Sequence, residues 1–417
     1  MRFQPIVVFA VLPLLALPGL AQTQVLTVDA IFGTGEFDSD LTAVTWSSEP
    51  EYFSTVEQNG NTTDLYRVYA STGERELLVS GADLLPPGQV EPISIESYQF
   101  SRDRSKVLIF TNSVRVWRQN TKGEFYVWDL DRDRLTPISR EPGLQQFAKF
   151  SPDGRYVGFV RDNNIFVTDL RSQTERQLTF DGDDNIINGT SDWVYEEELG
   201  VRDAFRFSPN SRSIAFWRLD QSVIKTFYMV DNLSLYPQLL PVRYPKAGEE
   251  NSSVMIGVVE ISSGETTWMD LGTDRDIYVA RMDFAHSSDE IWLTRLNRHQ
   301  NRLDLMLGDV ASGETRVVMT DTDEAWVDNG LPIWINRGRQ FLFLSERDGY
   351  RQLFMFDRDG SLVRKVTESE WDVARVHGVD ERADVVYFNG AGEGPLKSPL
   401  YRVGLDGRNL TRVSTAS

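Results

Sequence analysis

One unit recurs along this chain and restricts its fold more than anything else in it: a short strand ending on an aromatic or aliphatic residue, a polar turn, an apolar strand, then a further strand pair closed by a second turn. The clearest copy runs Phe150-Ser151-Pro152-Asp153-Gly154-Arg155-Tyr156-Val157-Gly158-Phe159, continues as Asn164-Ile165-Phe166-Val167-Thr168-Asp169-Leu170 and ends on Arg176-Gln177-Leu178-Thr179. Pro with Asp-Gly makes the first turn. Val157 and Phe159, alternating with Tyr156 and Gly158, suit a strand covered on both faces. Related copies begin near Trp46, Phe100, Phe207, Phe284, Trp334 and Val379, with second halves such as Glu124-Phe125-Tyr126-Val127-Trp128-Asp129-Leu130 and Gln352-Leu353-Phe354-Met355-Phe356-Asp357. About seven units at a spacing of roughly 40 to 55 residues match four-stranded propeller blades. No heptad or βαβ alternation competes, so the expected fold is all-β, a β-propeller of four-stranded blades spanning 22–417.

One copy is interrupted. Asp231 to Ser253 is rich in Pro, Asn, Ser and Glu, and strands resume at Val254-Met255-Ile256-Gly257-Val258-Val259-Glu260. An insertion here projects from a blade edge as an arm. It serves either as a solvated loop or as a contact through which two copies of the chain form a homodimer, and composition leaves both readings open.

The first residues differ from the rest. Arg2 precedes the apolar run Ile6 to Leu20, and Gly19-Leu20-Ala21 places small residues at −3 and −1 of a cut after Ala21, so 1–21 reads as a secretory signal peptide. The other reading, an uncleaved anchor, is opposed by Pro13, Pro18 and the shortness of the run. The expectation is an exported protein, periplasmic or secreted. The absence of cysteine excludes disulfides, thiolate metal sites, a cysteine nucleophile and a lipid-modified cysteine. A chain this long buries enough apolar surface to do without cross-links. Its net charge of −19 repels phosphate backbones, so no nucleic-acid partner is expected. That field favours cationic ligands, a peptide's free amino terminus among them, although most of these carboxylates belong to solvated surface.

Between the third and fourth units stands Ser191-Asp192-Trp193-Val194-Tyr195-Glu196-Glu197-Glu198-Leu199, three successive carboxylates flanked by large aromatic and aliphatic residues. Consecutive like charges repel, and anchoring beside Trp193 and Tyr195 limits how far they can spread, so an external cation would relieve the cost. A protonated amino terminus offers three N–H donors, which two carboxylates can accept in charge-assisted hydrogen bonds. On composition alone, a glutamate triplet is more often a helix start or solvated surface than a cation site.

The segment Asp192-Trp193-Val194-Tyr195-Glu196-Glu197-Glu198 resembles that of the dipeptidyl peptidase IV family in which two glutamates bind the substrate's amino terminus; by that match they are Glu197 and Glu198. The similarity continues through Phe207-Ser208-Pro209-Asn210 and Ile214-Ala215-Phe216, and at Tyr244-Pro245-Lys246-Ala247-Gly248 with Asn251, which is similar to the family's propeller arm. Val116-Trp117-Arg118 resembles the place where the family supplies an arginine to the carbonyl of the substrate's second residue, which makes Arg118 that group. A guanidinium is a fixed fork of donors and can steady nearby carboxylates as well; the alternative for Arg118 is a strand-end surface ion pair. Leu26-Thr27-Val28-Asp29-Ala30-Ile31-Phe32-Gly33 is similar to the stretch at which bacterial members begin.

The resemblance implies an eight-bladed propeller followed by an α/β-hydrolase domain with a nucleophilic serine, an aspartate and a histidine. This sequence contains no G-x-S-x-G elbow. With about seven units visible of the expected eight, the expectation is a chain that stops before the last blade and lacks its hydrolase partner, with no catalytic residue of its own. His286, His299 and His377 lie inside propeller units and read as surface or packed strand residues. Asp181-Gly182-Asp183-Asp184-Asn185 tempts a calcium reading but lacks the bidentate Glu of an EF-hand, and reads as a turn. No metal or cofactor is expected. The leading function is the substrate-gating, amino-terminus-binding part of an exported serine dipeptidyl peptidase acting on peptides with a free amino terminus, Pro or Ala second by resemblance. The runner-up is a non-catalytic exported propeller that binds peptides or proteins; a tripeptidyl or other oligopeptidase of the same superfamily is a third.

Overall fold

The serine that opens each inner turn organises the repeat. Ser151 Oγ donates to Asp153 Oδ1 at 2.6 Å and accepts the N–H of Tyr156 at 2.9 Å. Ser101 does the same with Asp103 and Lys106, and Ser208 with Asn210 and Ser213. In each turn the fourth residue is left-handed: Arg104 at φ 61°, Gly154 at φ 66° and Ser211 at φ 60°. Only glycine adopts that region without strain, which accounts for Gly154 in the clearest copy.

The computed structural model describes residues 26–35, 37, 44–47 and 51–414; the signal-peptide segment 1–21 lies outside them. Among the described residues strands dominate, in seven antiparallel units whose four blade strands follow meander order. Their strands are Val44–Trp46, Tyr52–Asn59, Thr62–Tyr69 and Arg75–Val79 (blade 1); Ser97–Phe100, Lys106–Val116, Gln119–Asp129 and Arg134–Pro137 (blade 2); Gln145–Phe150, Tyr156–Arg161, Asn164–Asp169 and Thr174–Gln177 (blade 3); Phe205–Phe207, Ser213–Asp220, Ser253–Glu260 and Thr266–Trp268 (blade 4). Blade 5 comprises Ile277–Phe284, Glu290–Asn297, Arg302–Asp309 and Thr315–Thr322; blade 6 Ile333–Ile335, Gln340–Ser345, Gln352–Asp357 and Leu362–Lys365; blade 7 Val373–Asp380, Val385–Gly390, Leu400–Gly404 and Thr411–Arg412. The all-β propeller architecture is therefore the one the repeat implied.

By contacts the chain divides into two units, residues 1–55 with 67–74, and residues 56–66 with 75–417. In the first, Thr27 Oγ1 caps the short helix Val28–Phe32, and Val44–Trp46 pairs with residues 53–55. In the second, apolar layers fill the seams between successive blades. Leu108 and Val127 meet Val157 and Phe159 between blades 2 and 3; Val160 and Val167 meet Phe205 and Ile214 between blades 3 and 4. A larger cluster joins blades 4, 5 and 6, and another joins 6 to 7. Strands such as Tyr156–Arg161 are consequently buried on both faces.

Three features depart from a plain meander. Ile186–Asn188 adds a fifth strand to the blade 4 sheet by pairing with Arg218–Asp220. Blades 2 and 3 share one sheet, because Lys122 and Gly123 pair with Gln146 and Gln145. A Cβ at Gly123 would stand 2.7 Å from the Thr111 carbonyl, so this approach needs glycine. The insertion in blade 4 also begins earlier than Asp231: Thr226–Asp231 pairs with Gln238–Arg243 as a separate two-stranded hairpin, and the blade's third strand is Ser253–Glu260. Strand periodicity marks the apolar run around Tyr228 as a strand but says nothing of which neighbour it pairs with.

Exposed large apolar side chains fall unevenly on the second unit. In a meander, the turn between strands two and three and the connection to the next blade share one end, and the other two turns share the opposite end. Leu85, Val90, Trp117, Phe180, Trp326, Leu331, Tyr350 and Leu396 all stand exposed at the first end. At the opposite end the turns are polar, and of the exposed large apolars among the described residues only Leu410 lies in one.

Candidate functional site

The connection between blades 3 and 4 carries the short helix Trp193–Glu197. Asp192 starts it: its Oδ1 accepts the N–H of Tyr195 at 2.9 Å, and its Oδ2 accepts the hydroxyl of Ser252 at 2.5 Å. Burial pushes the Asp192 carboxyl above its ordinary value, against those hydrogen bonds. Gly200, at φ 66°, ends the helix, and the N–H groups of Leu199 and Val201 close back on Val194 and Tyr195.

Blade 5 holds this helix in place. Tyr195 is 2% exposed, and its phenolic oxygen accepts the N–H of Val279 at 3.0 Å, where a bulge interrupts the ladder to the next strand. Burial raises the Tyr195 phenol well above its usual range. The indole N–H of Trp217 donates to the Val279 carbonyl at 2.8 Å, so both backbone polar groups of this buried residue are paired through side chains. Arg281 donates to the carbonyl of Leu199 at 2.6 Å.

Helical rotation of about 100° per residue sends the three glutamates in different directions. Glu196 is buried and meets Arg202 Nε at 3.0 Å. Glu197, its side chain 15% exposed, meets Arg118 Nε at 3.2 Å. Glu198 points to solvent, and its carboxylate has no hydrogen bond or ion pair among the described residues. The repulsion inferred from the triplet is thus partly met from inside the protein by Arg202 and Arg118, and only Glu198 is left without a countercharge.

Arg118 reaches Glu197 because its hairpin is unusually long. Lys106–Val116 and Gln119–Asp129 run eleven residues each, against five to eight in the same pair of other blades. Trp117, at φ 54°, and Arg118 make the two-residue turn at its tip, and Arg115 Nε braces it by donating to the Trp117 carbonyl at 2.9 Å. The turn stands at the apolar-rich end of the blades, as does the helix. The structure therefore brings Arg118 and Glu197 together, with Glu198 the next residue along. Sequence reasoning missed Arg202, Ser252 and Arg281, which support the helix; the capping position of Asp192 was the one signal available, since it demands a buried partner.

A second charged group lies on the inner strands of blades 3, 4 and 5. The Lys149 ammonium contacts Asp203, donates to the Phe205 carbonyl at 2.9 Å and stands over the Phe205 ring. Arg206 lies 3.5 Å from Asp203 and 4.0 Å from Asp283. Burial depresses the Lys149 amine to about 8 and raises the Asp283 carboxyl.

The other sequence candidates are placed separately. In the turn 181–185, Asp183 Oδ1 accepts the N–H groups of Asn185 and Ile186, while Asp181 holds Arg218 at 2.8 Å. His286 lies in an inner turn of blade 5, His299 lines a cleft of about 730 Å³ at the foot of the arm, and His377 contacts Asn389 in blade 7. Among the described residues no three His, Asp or Glu side chains are grouped to hold a metal.

Comparison with known proteins gives one family. Its description, dipeptidyl peptidase IV (DPP IV) N-terminal region, matches residues 101–417. A probable dipeptidyl peptidase 4 of Aspergillus clavatus is 30% identical over 367 residues, covering 83% of this chain and 46% of the relative. The dipeptidyl peptidase 4 of Trichophyton tonsurans is 25% identical over 386 residues, covering 89% of this chain and 48% of the relative. The crystal structure of Porphyromonas gingivalis dipeptidyl peptidase 4 superposes with a TM-score of 0.85 at 29% identity, over 94% of this chain and 56% of that one. The chain thus spans about half the length of the relatives it matches. On these matches, and on its blades, the chain belongs to the dipeptidyl peptidase IV N-terminal region family.

Proposed function

We propose that this chain is the amino-terminus-binding, access-limiting part of an exported serine dipeptidyl peptidase, with Pro or Ala preferred at the second position and the serine, aspartate and histidine supplied by an α/β-hydrolase domain. The observation that carries the reading is the placement of Glu197 against Arg118, at 3.2 Å, with Glu198 adjacent and unpaired among the described residues. Two carboxylates hold the substrate ammonium in charge-assisted hydrogen bonds, and the guanidinium donates to a carbonyl one residue further on. A fixed grip on the free end measures the distance to the scissile bond, so positioning does the work of this half of the enzyme. The exposed apolar residues gathered at the same end of the blades support a partner domain packing there. The arm supports a homodimer: Leu233, Leu235 and Tyr236 are 99%, 92% and 80% exposed on a hairpin with few partners of its own.

The test uses the chain itself. Binding of the tripeptide Ala-Pro-Ala and of its N-acetylated form is compared by ligand-observed NMR. The reading expects saturation transfer for the free amine, its loss on acetylation, and its loss in Glu198→Ala. Equal binding of both peptides overturns amino-terminus recognition and leaves the second reading, an exported propeller that binds peptides or proteins without catalysis.

A further inference from the structure

The insertion in blade 4 touches the carboxylate-bearing helix at both of its feet. At the outgoing foot, Ser252 is 3% exposed and donates a hydrogen bond from its hydroxyl to Oδ2 of Asp192, the residue that caps the helix. Asn251, beside it, donates to the Tyr278 hydroxyl at 2.6 Å, one residue from the Val279 N–H that Tyr195 holds. At the hairpin foot, the ring of Tyr244 packs edge-on against Trp193, the first helical residue, with centroids 4.5 Å apart. Tyr244 also meets Phe227 of the opposite hairpin strand at 5.8 Å, and its N–H bonds the Lys225 carbonyl. The arm's two-stranded sheet is thus continuous, through Phe227, Tyr244 and Trp193, with the helix that aims Glu197 and Glu198.

A helix of five residues has too few internal hydrogen bonds to hold its own geometry. Its cap and its first aromatic residue therefore decide where its carboxylates point. We infer that Tyr244 and Ser252 are positioning residues, through which the arm sets the direction of Glu197 and Glu198. The coupling runs through two contacts of different kinds, one hydrogen bond to the cap and one ring contact. It needs no displacement of the blades, since Ser252 leads directly into the paired strand Ser253–Glu260. The role given to the carboxylates rests on the function proposed above; the mechanical link does not.

Hydrogen exchange on the whole chain separates the two. In Tyr244→Ala and in Ser252→Ala, amides of 193–199 should exchange about tenfold faster, while the blade 7 strand Val385–Gly390 keeps its protection. Tyr244→Phe, which keeps the ring contact, should behave as the unsubstituted chain. Unchanged helix protection in both alanine variants overturns the proposal. So does equal loss of protection in blade 7, which would make these residues general supports of the fold. Where the unsubstituted chain binds Ala-Pro-Ala, the alanine variants should bind it about fivefold more weakly, as expected when a positioning contact is lost. If that chain fails to bind the free-amine peptide at all, amino-terminus recognition falls, and the exchange result alone still decides the coupling.

Discussion

Arg118, at the tip of the long blade 2 hairpin, meets Glu197, at the end of the helix preceding blade 4, at 3.2 Å. With 75% of the arginine side chain exposed, the pair adds little to stability, under about 1 kcal/mol. Arg118→Ala should leave the denaturation midpoint nearly unchanged and abolish free-amine peptide binding. Arg118→Lys should recover it only in part, because an ammonium cannot reproduce the fork of donors. A large stability loss in Arg118→Ala would reduce the pair to a structural tie.

Tyr195→Phe removes one oxygen atom from a fully packed site. The Val279 N–H, which donates to that oxygen beside a bulge, then loses its partner in a buried setting. That should cost about 1–3 kcal/mol, read in urea unfolding, with the blades otherwise intact. A change below about 0.5 kcal/mol would mean that water reaches Val279.

Much of this architecture can be read locally. Ser101, Ser151 and Ser208 each open a turn with hydrogen bonds to residues two and five positions on, so the repeat is written in contiguous residues. The blade seams follow from strands apolar on both faces. The site is a different matter. Glu197 meets an arginine from another blade, Asp192 meets a serine at the outgoing foot of the insertion, and Tyr195 meets a backbone N–H in blade 5. Such pairings depend on how blades are juxtaposed, which periodicity does not encode. The separation of Glu196 from Glu197 and Glu198 follows from helical rotation, and becomes readable only once Asp192 and Gly200 are recognised as the ends of a helix.

The arm should govern self-association. Leu233 and Leu235 are almost fully exposed at its tip, far along the chain from the feet at Tyr244 and Ser252. Leu233→Asp combined with Leu235→Asp should shift the chain from dimer to monomer in sedimentation velocity, since a charge buried in an apolar contact is unfavourable. A monomer before substitution, at concentrations of about 50 μM, a range in which a specific dimer should be populated, sinks the arm-mediated dimer.

Lys149 should make stability depend on pH in a particular direction. Burial lowers its amine from the ordinary 10.5 to about 8, although Asp203 and Asp283 pull the other way and Arg206 adds to the fall. Below about 8 the amine is protonated in both folded and unfolded chains, and the folded state carries the full penalty of the buried charge. Between about 8 and 10.5 the unfolded chain holds the proton and the folded chain does not. The unfolded state then binds more protons, so this group's contribution to stability rises with pH through that window. The full relief is on the order of 3 kcal/mol. Urea unfolding of the natural chain and of Lys149→Met at pH 7.5, 8.5 and 9.5 isolates it, because other titrating groups cancel in the difference. The natural chain should gain on the variant as pH rises, while Arg206 remains beside Asp203 to keep that carboxylate partnered. A difference that stays flat across the window would show that the amine keeps its ordinary affinity for protons, with the contacts to Asp203 and Phe205 offsetting its burial.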